Sequence, residues 1–189
     1  MQGAVRFFGV QEHTRLSCEV DGQVEEIKLL GYTVVPDALD PAALDAIRES
    51  VDRIYQIQAA EIGGEEQLEK INDAHTARAL LAYDEIFLHV ATSPKVLAIV
   101  ERLLGSYYTL MLQNGILNMP EVGDKQNAGS WHRDLNYQHF VSTRPLSVSA
   151  LFCVDDFREE TGGTYVLPAS HKTEACPSDE ARSIDVPMP

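Results

Sequence analysis

At 189 residues and 20.9 kDa, the chain is long enough for one domain with a substantial core, and no linker-like stretch points to a second. Its 15 Lys and Arg against 29 Asp and Glu leave a formal charge of −14, which opposes binding to phosphate backbones and anionic lipid headgroups, so neither nucleic acid nor membrane is an expected partner. The cysteines, Cys18, Cys153 and Cys176, are widely spaced and form no C-x-x-C pair; with no long apolar run and no signal-peptide layout in MQGAVRFFGVQEHTR, a cytoplasmic protein in a reducing compartment is expected.

The first thirty residues alternate loosely, and Asp21-Gly22 between two such runs predicts an N-terminal β-hairpin, since both positions of a two-residue turn favour positive φ. GYTVVPDAL then reads as a short β-rich run ended by Pro36. Asp40-Pro41 supplies an N-cap followed by proline at the first helical position, and Leu44, Ile47, Val51, Ile54 and Gln58 give a helix from about 41 to 60 an inward-facing stripe. Gly63-Gly64 interrupts, after which helical character continues as two segments broken near Asn72-Asp73. Ser93-Pro94 repeats the cap-and-proline signature, and Val96, Leu97, Val100, Leu103 and Leu104 form the apolar face of a helix closed by Gly105.

From Tyr107 the grammar changes. YYTLMLQNGILNMP, SWHRDLNYQHF, PLSVSALFCVDDF and GGTYVLP are β-branched or aromatic runs separated by Pro, Gly and Asp or Asn, which predict successive antiparallel strands. Helices followed by strands imply an α+β fold in which helices buttress one sheet of a sandwich or barrel and leave the other face to line a pocket.

Within GSWHRDLNYQH, His132 and Asp134 stand two apart. On an extended strand, such side chains leave the same face, so an imidazole and a carboxylate point into one space. That donor set suits Fe(II) in a two-histidine, one-carboxylate site. The same two letters also occur as an ordinary strand histidine and a turn-capping aspartate, and both readings stand on the spacing alone.

The runs GYTVVPDALDPAALDAIRESVDRI, LQNGILNMP, SWHRDLNY and TGGTYVLPASHK resemble, in the same order, the phytanoyl-CoA dioxygenase family of Fe(II)/2-oxoglutarate oxygenases. GGTYVLPASHK resembles that family's turn, strand and Pro-Gly-Ser-His-Lys loop, with Ala169 where glycine is usual, and the likeness runs from about residue 30 to 172. It implies a double-stranded β-helix, also called a jelly roll or cupin-like barrel. It further implies His132 and Asp134 as the first two iron ligands, Thr164 and Gln113 (or Asn114) beside the 2-oxoglutarate cosubstrate, and oxidation of a small organic substrate with O₂. Because halogenases related to the family carry a small residue at the carboxylate position, Asp134 implies hydroxylation or desaturation instead. Trp131 would wall the site, or simply pack in the core.

The resemblance also exposes a gap. The family's third ligand is a histidine on a strand beyond the loop, followed by an arginine that pairs with the cosubstrate, whereas after His171-Lys172 only TEACPSDEARSIDVPMP follows. His139 sits seven residues past His132, on the opposite side of an unbroken pleat; His13, His75 and His89 precede the barrel; Arg144, Arg158 and Arg182 belong to no motif. The expectation is therefore one partial domain over residues 1–189, incomplete at its C-terminus, with 175–189 as a flexible tail. It would be an oxygenase truncated in this form, a short form with a weakened iron site, or a barrel whose open edge is covered by a homo-oligomeric contact. The alternative function is a non-catalytic jelly-roll binding or assembly module. A hydrolytic zinc site, which would want three protein ligands and a water, fits less well.

Overall fold

The computed structural model describes residues 15–119, 131–135, 141–157, 161, 164–175, 178 and 184–186. They form an α+β arrangement: helices α1 (Glu19–Leu30), α2 (Pro41–Ile62), α3 (Glu65–Lys70), α4 (Ile86–Ala91) and α5 (Pro94–Leu104), with strands β1 (Thr76–Ala77), β2 (Gly115–Ile116), β3 (Thr164–Val166) and β4 (Ile184–Val186). Short 3-10 turns lie at Leu80–Ala82 and Ser170–Lys172.

The expected hairpin at Asp21-Gly22 is replaced by α1, which runs through both residues. The Asp21 carboxylate explains the change. It accepts hydrogen bonds from the backbone N–H and the hydroxyl of Ser17 and pairs with Arg102 of α5. An acid in the first turn that caps backwards favours a helix over a turn. These bonds, Ser17 first and Arg102 after it, hold the Asp21 carboxyl well below the usual carboxylate range. Val24 is buried, and Gly31 ends the helix in the left-handed region at φ 93°. The β-rich run expected at GYTVVPDAL is likewise absent: residues 32–40 follow an irregular path, with Asp37 at φ 51°.

The capped helices appear where the sequence places them. Asp40 accepts from the Ala42 N–H at 3.0 Å with Pro41 at the first helical position, and the Gly63 N–H closes α2 on the Ala59 carbonyl. Ile47 and Ile54 of the expected stripe are buried and Leu44, Val51 and Gln58 half-buried, but Tyr55 and Ala59 are buried beside them. In α5 the buried residue is Ile99, which the expected face omitted.

The core gathers Ile47, Ile54, Tyr55, Ala59, Leu68, Ala77, Leu80, Phe87 and Val90, so α2 is its spine and α3, α4, β1 and the first 3-10 turn close around it. Polar ties pin these elements together. The buried Ser50 hydroxyl donates to Asp84, which also pairs with Arg53, and the Tyr55 hydroxyl accepts the His75 N–H while donating to Glu65. Phe152 and Val154 pack onto the core from the later chain, and Arg48 donates to the Val154 carbonyl and to Asp155.

Fewer strands form among the described residues than the sequence predicts. Among the described residues there are two two-stranded antiparallel sheets, β1–β2 with Thr76 opposite Ile116, and β3–β4 with Thr164 opposite Val186. Strand β4 lies inside the 175–189 stretch for which the sequence offered no β-rich run. The segment before and around β2 leaves Tyr107 98% exposed and Leu110, Met111, Leu112, Ile116 and Met119 more than half exposed. No helix among the described residues is long and apolar enough to cross a membrane.

Candidate metal centre

The H-x-D segment sits on a bend and turn rather than on a regular strand: Trp131 opens the bend and Asp134-Leu135 form the turn. Arg133, half-buried between the two candidate ligands, donates to the Thr173 carbonyl, which ties the segment to the loop after β3. His132 Nε2 and Asp134 Oδ1 are 3.8 Å apart, each side chain 61% exposed. Cis donors of an octahedral site with bonds of roughly 2.1 Å stand about 3 Å apart, so a small rotation of either side chain would bring the pair onto one ion. The set fits two positions of an iron site, one nitrogen and one oxygen. Among the described residues, no third His, Cys, Asp or Glu joins them.

Thr164 opens β3 and is half-buried. Gln113 is turned toward the helical layer: its Nε2 donates to the Phe87 carbonyl at 3.0 Å, its backbone carbonyl accepts from the Leu80 N–H at 3.1 Å, and its Oε1 is buried without a partner. Asn114, in the orientation that satisfies its amide, accepts from Arg78 Nη1 at 2.9 Å and donates to the Gln113 carbonyl at 3.1 Å. The structure thus places His132 beside Asp134 and engages Gln113 with the helical layer. His75 stacks on Tyr55, and His89 lies in the last turn of α4. Gly162-Gly163, His13, His139, Arg158 and Arg182 lie outside the described residues.

One feature escaped the sequence reading. An open cleft of about 540 Å³ is lined by Arg78, Leu81, Leu110, Met111, Gln113 and Asn114 among others. Its walls are apolar and Arg78 is the cationic group on its rim, already paired with Asp73. Arg78 belongs to no motif, and the β1–β2 pairing, with the Leu80–Gln113 backbone bond, brings it beside residues 113–114.

The model of the phytanoyl-CoA dioxygenase (PhyH) family matches residues 28–185. The chain belongs to this family. As a phytanoyl-CoA dioxygenase family member it carries the H-x-D segment inside the matched region, and the family fold is a cupin-like jelly roll. Two relatives, an uncharacterized protein of Mycobacterium bovis and one of Mycobacterium tuberculosis, are each 34% identical over 160 residues, an alignment covering 81% of this chain and 56% of theirs. The chain therefore spans a little over half the length of these relatives. No solved structure matches it.

Proposed function

We propose that this chain carries part of an Fe(II)- and 2-oxoglutarate-dependent dioxygenase that hydroxylates a small organic substrate with O₂, on a double-stranded β-helix. The observation that supports this most is the convergence of His132 Nε2 and Asp134 Oδ1 to 3.8 Å within the family-matched region. His132, as the neutral imidazole, and Asp134, as the carboxylate, are the residues that would hold the metal. The bound iron and cosubstrate supply oxidation of a C–H bond, while the protein positions and shields the reactants.

The chain's own groups take defined parts in this reading. Arg133, by donating to the Thr173 carbonyl, steadies the segment that carries the candidate ligands. Thr164 offers a hydroxyl donor to the cosubstrate carboxylate. Gln113 is the weaker partner, because its amide N–H already serves the Phe87 carbonyl and its remaining oxygen, an acceptor, repels a carboxylate. The reading includes a cytoplasmic setting and a homo-oligomeric contact over the open sheet edges.

Anaerobic titration of the chain with Fe(II) and 2-oxoglutarate tests the proposal. A visible charge-transfer band near one equivalent of iron, absent in His132→Ala, is the expected outcome. Iron that binds nowhere, or a band that survives His132→Ala, rejects it. The former would favour a non-catalytic jelly-roll binding module, a reading suggested by the two-ligand set among the described residues.

A further inference from the structure

After β3 the chain turns back onto the end of α1 through Ala169, which adopts φ 63°, a left-handed conformation uncommon for a residue with a Cβ. The turn directs the Ala169 N–H to the Leu30 carbonyl at 2.7 Å. Three residues on, Lys172 Nζ donates to the Lys28 carbonyl. Between these bonds lies the His171 ring, laid directly on Gly31: a Cβ built at Gly31 would meet His171 Nδ1 at 2.7 Å and Cγ at 3.0 Å. Gly31 is therefore fixed twice, by its φ of 93° as the α1 cap and by the imidazole against it.

The ring is a poor host for a second proton. Both nitrogens are buried without a hydrogen-bond partner. The nearby Lys28 carbonyl is engaged by Lys172 Nζ, and Lys172 is the charged side chain that acts on the ring, with the same sign as an imidazolium. At the end of α1 the ring faces the Lys28 carbonyl and the uncharged Gly31. Burial foremost holds His171 below the ordinary histidine range, against an opposite pull from the Lys28 carbonyl, with the Lys172 charge adding the smallest downward push.

We propose that His171 on Gly31 is an acid-releasable clasp, which fastens the Leu167–Thr173 loop to the C-terminal end of α1 while the ring is neutral and lets it go when the ring takes a proton. Because the folded value lies below the unfolded one, the open loop binds more protons than the closed loop. The clasp is fully present above the ordinary histidine value of 6.5 and weakens as pH falls through it. Thr164 and β3 lead directly into this loop, so release loosens the strand that carries Thr164.

Amide hydrogen exchange read residue by residue, from about pH 8 to about pH 5 and corrected for intrinsic rates, tests the clasp. Protection of the Ala169 amide should be flat at the upper end and fall roughly tenfold per pH unit below about 6.5. The amide of Ile54, in the core of α2, should stay protected, and His171→Phe should abolish the slope at Ala169. A flat profile at Ala169, an equal slope in His171→Phe, or Ile54 falling in parallel would each overturn the proposal. Should His171→Phe not fold, the imidazole resonance of the unaltered protein decides: titration near 6.5 with Ala169 still protected also overturns it.

Discussion

Gly115 of β2 and Val51 of α2 meet so closely that a Cβ added at Gly115 would stand 2.8 Å from Val51 Cγ1 and 3.3 Å from Cγ2, with Leu80 Cδ1 at 3.5 Å. Strand β2 can lie on α2 only because residue 115 has no side chain. Gly115→Ala is expected to cost about 1–3 kcal/mol through overpacking, read as a lower urea midpoint. Adding Val51→Ala should recover part of the loss; strict additivity of the two changes would show that the contact is not the cause.

Phe87 is 2% exposed and sits where α4 faces the α2 spine. Phe87→Ala should cost about 3–5 kcal/mol, from lost burial and the cavity left behind. That is a large share of the roughly 5–15 kcal/mol that holds a domain of this size together, so thermal unfolding should shift down by many degrees. A loss under about 1 kcal/mol would mean the site collapses freely.

The start of α2 rests on one side chain. Asp40→Ala removes the acceptor of the Ala42 N–H and should lower stability by about 1 kcal/mol, whereas Asp40→Ser should restore most of it. Equal effects of the two replacements would argue against a capping role.

Asp84 accepts from the Ser50 hydroxyl at 2.6 Å and from the Ile86 N–H at 3.0 Å, and pairs with Arg53. Those interactions, the Ser50 bond foremost, hold its carboxyl below the usual range. A depressed folded value means that the unfolded chain binds the proton more tightly, so the stabilisation is present above the ordinary aspartate value and fades as pH falls through the folded one. Ser50→Ala should therefore shrink the difference in stability between neutral and acid solution. An unchanged pH profile would separate Asp84 from acid unfolding.

At the ligand pair, Asp134→Ala should weaken binding of Co(II), a spectroscopic substitute for Fe(II), by at least about tenfold, since it removes one of two converging donors. Asp134→Glu should weaken it less. Isothermal titration of each variant checks the order, and indifference to both changes would remove Asp134 from the site.

Local chemistry was legible wherever one residue's own backbone preference decided the outcome. Asp40-Pro41 and Pro94 announced α2 and α5, and Gly63 and Gly105 their ends, because the Asp40 cap and fixed φ act within one turn; Ser93 does not cap α5 and instead donates to the Ala38 carbonyl. Asp21-Gly22 misled, because Ser17 and Arg102 of the distant α5 outweigh the turn preference of two residues. Strands are fewer among the described residues for the opposite reason. A β-rich composition marks what fits a pleated surface, but a ladder also needs a neighbour, and Ile116 finds its partner in Thr76, forty positions earlier, within a stretch whose local pattern reads as helical. The candidate ligand pair was visible as a two-residue spacing, although the two residues sit on a bend and turn, not on a strand. The His171 seat was invisible, since it depends on Gly31 lying underneath.

The oily ridge from Tyr107 to Met119 makes acidity a matter of handling as well as of folding. Near neutral pH the surplus of carboxylates keeps molecules apart, but around pH 4.7 that repulsion vanishes and only the greasy contact remains. Acid titrations of this chain will run into colloidal clumping before they reach the carboxylates, so they belong at high dilution, with light scattering recorded alongside every point.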